Sequence, residues 1–157
     1  KKYVYNIFSD KYLTTIGVNI SKKQLILEQN EEINNVTLIL WDINGDEGFI
    51  KISPQYLHGS NAAILVADLS RPPTIDNIKK HIDFFKEQNK DAPLILALNK
   101  YDLYNNRENE LSDLIIKVRN IISKYNIDFL FTSAKDGSNV NEIFLRISNL
   151  ILMKSFK

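Results

Sequence analysis

Three short apolar runs constrain this chain most: AAILVAD at 62–68, PLILALN at 93–99 and IDFLFTS at 127–133. Successive side chains of a strand point to opposite faces, so a strand wetted on one side alternates apolar with polar residues. A run that is apolar throughout suits a strand covered on both faces, as in a parallel sheet. Stripes at helical spacing separate or follow these runs. Ile75, Ile78, Ile82 and Phe85 lie in 75–88, after the breaker Pro72-Pro73. Leu111, Leu114, Ile115, Val118, Ile121 and Ile122 lie in 108–125. Val140, Ile143, Phe144, Ile147, Leu150 and Ile151 lie in 139–153. Each stripe reads as core packing. Upstream, Gly17–Leu27 and VTLILWD at 36–42 read as two more strands, joined by a hairpin-like turn near EQNEEINN, and a short helix is expected over Phe49–Leu57. Strands alternating with helices predict an α/β fold: a doubly wound, mostly parallel sheet with helices on both faces. No repeat, linker or low-complexity tract divides the 157 residues, so a single domain over 1–157 is expected.

Composition removes several chemistries. The sequence has no cysteine, which excludes a disulfide scaffold, a thiolate zinc site and a Cys nucleophile within it. The formal net charge is +1 with no basic patch, so nucleic acid is not an expected partner. The longest apolar runs are far too short to span a bilayer. Only His58 and His81 are histidines, and HGS at 58–60 lacks the pattern of a nucleophile elbow.

In doubly wound sheets, ligands sit beyond the carboxyl ends of the strands. Three strand ends here are polar. The second strand runs into WDINGDEG, which supplies Asp42 and Gly45. The fourth ends in NKYD, with Asn99, Lys100 and Asp102. The fifth ends in TSAKDGS, with Ser133, Ala134 and Lys135. Thr14 and Thr15 precede the first strand.

With these residues in this order, the chain resembles a small GTPase of the Ras superfamily, most nearly a Rab-like one. YLTTIGVNI resembles the first switch region, WDINGDEGF the second, and NKYD with SAK the guanine-recognition elements. The resemblance implies GTP or GDP with Mg²⁺ as ligands. Asp102 would accept from the two adjacent donors of guanine, which adenine does not present. Asn99 would bond the base and tie neighbouring loops. Lys100 would lay its stem over one base face, and Phe8 would cover an edge. Ala134 would offer its backbone N–H to the base oxygen, with Ser133 and Lys135 bracing that loop. Thr15 would ligate Mg²⁺ and touch the γ-phosphate, Asp42 would hold the metal through a water, and Gly45 would offer a backbone N–H to the γ-phosphate. Effectors and exchange or activating proteins would engage residues 12–20 and 41–57, with Ile20, Trp41 and Tyr56 as an apolar surface; Ile20 stands where the family carries an aromatic.

Two departures qualify the resemblance. Asp46 occupies the position of the family's catalytic Gln, which orients the attacking water. A carboxylate there repels a phosphate charge by about 3 kcal/mol at roughly 6 Å and an effective dielectric near 20, so slow hydrolysis is expected. None of the five glycines is followed by Lys, so the phosphate-cradling GxxxxGK[ST] loop does not occur in the sequence, and neither does the strand that precedes it in the family. The chain opens on Lys1, and the expectation is a small G-protein fold incomplete at its N-terminus. The alternative is a degenerate Ras-like interaction module that binds no nucleotide. A cytoplasmic location is expected, with no membrane anchor visible.

Overall fold

The computed structural model describes residues 18–29, 32–43, 54–104 and 108–155. Its strands are β1 (Val18–Gln29), β2 (Glu32–Ile43), β3 (Ala63–Asp68), β4 (Leu94–Asn99) and β5 (Asp128–Phe131). Its helices are α1 (Pro54–Leu57), α2 (Pro72–Asp76), α3 (Ile78–Gln88), α4 (Glu108–Ile122) and α5 (Val140–Ser155), with a 3₁₀ turn at Tyr101–Tyr104.

The strands β3, β4 and β5 form a parallel sheet in that order, with Ala63–Asp68 running alongside Leu94–Asn99 and Ile95–Leu98 alongside Asp128–Phe131. Alternation along β4 divides two cores. Leu94, Leu96 and Leu98 join Ile75, Ile78, Ile82, Phe85, Val118 and Ile122 on one face. Ile95 and Ala97 join Leu130, Ile143 and Ile147 of α5 on the other. The continuous apolar run of β4 is thus a strand covered on both sides, as an α/β sheet with helices on both faces requires, whereas β3 leaves Val66 59% exposed.

The hairpin forms a second, separate sheet. In β1 and β2, Val18 lies opposite Ile43 and Gln29 opposite Glu32, antiparallel over the full length. Among the described residues no strand bridges β2 and β3. The two strands are longer than expected: Glu28, Asn34 and Asn35, read as loop, belong to the ladder. A two-stranded ribbon with one wet face accepts polar side chains, so polarity there does not mark a turn.

The expected helix over 75–88 starts earlier and comes in two parts. Pro72 and Pro73 occupy its first turn, where a missing N–H leaves no bond unmade. Asn77, at φ −81° and ψ −6°, separates α2 from α3. The backbone bonds Asn77 N–H to Pro73 O (3.1 Å) and His81 N–H to Asn77 O (3.1 Å) carry the chain across the break. Of the helix expected over 49–57, only Pro54–Leu57 falls among the described residues, and it is helical. No helix among the described residues is long and apolar enough to cross a membrane.

Candidate functional site

Three parallel strands end side by side, and their polar tips meet. In register, Asp68 at the end of β3 lies opposite Asn99 at the end of β4. The chain then turns sharply. Lys100 adopts φ +68°, a left-handed conformation that side chains rarely take, and the 3₁₀ turn Tyr101–Tyr104 follows. Tyr101 N–H donates to Thr132 O (3.1 Å), and Thr132 N–H to Leu98 O (2.9 Å), which locks the tip of β4 to the tip of β5. The Tyr101 ring stacks on Phe131 at 4.9 Å.

Side chains then cross between the tips. Asn99 Oδ1 accepts the Ala134 N–H at 3.0 Å and the Thr132 hydroxyl at 3.4 Å. Both partners are donors, so the carbonyl end of the amide points at β5, and Nδ2 is left to donate elsewhere. The Ser133 hydroxyl, fully buried, donates to Asp102 Oδ1 at 2.7 Å. That bond fixes the carboxylate through one oxygen and leaves the other available as an acceptor. The loop after β5 closes on itself. Gly137 N–H donates to Ser133 O (2.8 Å), and Ser133 N–H to Ser138 O (3.0 Å). Gly137 takes φ +93°, which a side chain would strain. The Ser138 hydroxyl and amide hold the Asp136 carboxyl below the usual carboxylate range.

On the other side of Lys100, its ammonium pairs with Asp68 Oδ2 at 2.8 Å and reaches Ser70 Oγ at 3.4 Å. Asp68 Oδ1 accepts the Ser70 N–H (2.9 Å) and hydroxyl (2.6 Å). Burial alone would push the Asp68 carboxyl up; the Lys100 ammonium and the Ser70 hydroxyl and amide reverse that and hold it below its ordinary range.

Of the residues expected at the site, Asn99, Lys100, Asp102, Ser133 and Ala134 come together. The loop-tying part expected of Asn99 is present in its bonds to Thr132 and Ala134. The Ala134 N–H, expected to face a base oxygen, here donates to Asn99. Lys135 is exposed and takes no part in the bonds that brace the loop. Asp42 sits in β2 of the other sheet, exposed and opposite Asn19. Phe8, Thr15, Gly45 and Asp46 lie outside the described residues. Sequence reasoning missed Asp68, Ser70 and Thr74. The signal was available: Asp68 is one more polar tip on a buried strand.

The proposed partner surface is partly described. Ile20 lies directly opposite Trp41 in the hairpin register. The Trp41 and Tyr56 rings are 5.7 Å apart. All three side chains are exposed.

Among the described residues, the converging strand tips carry an amide with its Nδ2 uncommitted, a carboxylate with one oxygen uncommitted, and a lysine stem between them. The sequence matches the family model described as "Ras family" over residues 1–153. With that match spanning nearly the whole length, the chain belongs to the Ras family.

Proposed function

We propose that this chain binds a guanine nucleotide and acts as a switch that recruits partners in its GTP state. Membership in the Ras family supports the coarse reading, and the bonding at the strand tips supports the finer one. The observation that carries it is the pairing of Ser133 with Asp102 Oδ1 and of Ala134 with Asn99 Oδ1. These bonds hold the carboxylate and the amide with their remaining polar atoms uncommitted among the described residues. Guanine offers two adjacent donors to such a carboxylate, and adenine does not. A site built for those donors rejects an analogue lacking them by orders of magnitude.

In this reading Asn99, Lys100 and Asp102 hold the base. Phe8 closes its edge. Thr15 and Asp42 serve Mg²⁺, and Thr15 and Gly45 sense the γ-phosphate. A hydroxyl and a carboxylate are the hard oxygen donors that Mg²⁺ prefers. The metal, when bound, neutralises phosphate charge. Asp46 slows hydrolysis, so the GTP state persists; Asp46→Gln is expected to raise the single-turnover rate, and an unchanged rate would remove this part of the reading. Ile20, Trp41 and Tyr56 form an apolar patch for effectors, in the manner of Rab-like proteins.

Thermal unfolding with added nucleotide tests the whole. A ligand at about 100 times its dissociation constant stabilises the folded state by about 2.7 kcal/mol. GTP and GDP are expected to raise the melting temperature and ATP to leave it unchanged. No response to either guanine nucleotide would favour the second reading, a Ras-like interaction module without nucleotide. The observation on its side is that no glycine in the sequence is followed by Lys.

A further inference from the structure

We propose that Asp68 is a positioning residue for the nucleotide base: it anchors the Lys100 ammonium and so holds the lysine stem as a fixed apolar shelf for one face of the purine. The inference rests on the guanine-site reading above.

Three observations carry it. First, the anchor is itself built. Asp68 N–H donates to Thr74 Oγ1 at 2.9 Å, the Thr74 hydroxyl lies 2.9 Å from Asp68 O and 2.8 Å from Arg71 O, and Ser70 donates twice to Asp68 Oδ1. One carboxylate oxygen is held by Ser70, and the other faces Lys100 at 2.8 Å. Second, the fold has little use for the pair. The tips of β3 and β4 are already joined by Leu69 N–H to Asn99 O (3.0 Å) and by the Tyr104 hydroxyl to Leu69 O (2.8 Å). The Lys100 side chain is 41% exposed and that of Asp68 15%, and an ion pair whose ammonium stays in solvent adds only modestly to stability. Third, Lys100 stands at φ +68° between Asn99 and Asp102, the two residues assigned to the base. Strained backbone that persists at such a place is a mark of function rather than of packing. A free lysine side chain samples many rotamers and would lose that freedom on stacking with a base. Asp68 removes the freedom beforehand, so binding need not.

The test uses the full chain with GDP and Mg²⁺, and with inosine diphosphate, which lacks the exocyclic amine that Asp102 would read. Asp68→Asn is close to isosteric and keeps the Ser70 acceptor. It is expected to speed GDP dissociation about tenfold while leaving the GDP-to-inosine-diphosphate preference unchanged, with Asp68→Glu restoring part of the loss. In a Lys100→Met background, where a stem remains but no charge needs anchoring, Asp68→Asn is expected to add nothing further. An unchanged GDP dissociation rate in Asp68→Asn overturns the proposal. So does the same acceleration in the Lys100→Met background, which would assign Asp68 a merely structural part. If the unsubstituted chain holds neither diphosphate, the guanine reading falls and the anchor falls with it, a result distinct from the other two.

Discussion

Consecutive residues of β4 enter two different cores, whereas every second residue of the β1–β2 hairpin meets solvent. Ile95 and Leu96, neighbours in β4, are 1% and 0% exposed. On the outer face of the hairpin, Ile26 and Ile33 are 68% and 69% exposed, with Ile20, Ile39 and Trp41 near half. The same residue types therefore serve opposite ends. At the centre of the parallel sheet, apolar side chains clamp β4 from both sides and so fix where its end must fall. That rigidity lets Asn99, Asp102 and Ser133, at or just past the ends of two separate strands, hold bonds of 2.7 to 3.4 Å to one another or to their neighbours. In the hairpin, β-branched residues satisfy the pleat while leaving their surface uncovered. Under the proposed function, the sheet is the platform that would read the base, and the ribbon's apolar face is the surface that partners would cover.

The contrast breaks most readily at Leu96. Leu96→Ala removes a fully buried side chain from the larger core and is expected to cost about 2–5 kcal/mol, read by denaturant unfolding. A loss well under 1 kcal/mol would mean that the two-sided clamp does not exist. The effect at Trp41 is expected to be smaller. Its ring meets Tyr56 at 5.7 Å, and such aromatic contacts contribute about 0.5–1.5 kcal/mol beyond area. Trp41→Ala should lower stability by about 1 kcal/mol and weaken binding of any effector that covers the patch. At the outer isoleucines the effect should nearly vanish. Ile33→Thr and Ile39→Thr keep the β-branch and are expected to stay within about 0.5 kcal/mol of the parent. If either matched Leu96→Ala, the ribbon's outer face would be covered after all.

The sequence disclosed the platform better than the ribbon, for a physical reason. Burial writes itself as an uninterrupted apolar run, and β3, β4 and β5 all fall within two residues of AAILVAD, PLILALN and IDFLFTS, the widest gap being at the end of β5, where the ladder stops at Phe131. Thr132 and Ser133 are buried; Thr132 N–H still donates to Leu98 O of β4, but Thr132 O turns to Tyr101 and Ser133 bonds to the following loop and to Asp102. The hairpin's polar half gave no such signal, because a solvent-facing ladder tolerates Glu, Gln and Asn. Asn99, Lys100 and Asp102 were legible as a group because they follow one strand in sequence. Asp68 was legible only as a polar strand tip, not as the partner of Lys100, which is 32 positions away and is brought beside it by the parallel register. Nor could the sequence show that Ala134 N–H turns toward Asn99, which depends on the turn closed by Gly137.

The smallest expected effect sharpens the contrast from the platform side. His81, on α3 beside Ile82, is partly buried, and burial first, with the Lys80 charge second, lowers its pKa below the ordinary 6.5. The folded chain therefore keeps the imidazole neutral where the unfolded chain begins to protonate. The sign follows from linkage: this contribution is fully present above about 6.5 and is lost as pH falls from there to the lower folded value, below which it levels off. Asp68 acts in the same direction in a more acidic window, because its folded pKa is lowered from 3.8, so its contribution disappears as pH falls from there through that lower folded value. Melting temperature measured from pH 7.5 to pH 5.5 should show a shallow decline in the parent that flattens in His81→Gln. An equal decline in both would place the slope elsewhere. A steeper one in the variant would mean that the partly buried flank of α3 favours a charged imidazole, contrary to the burial that lowers its pKa.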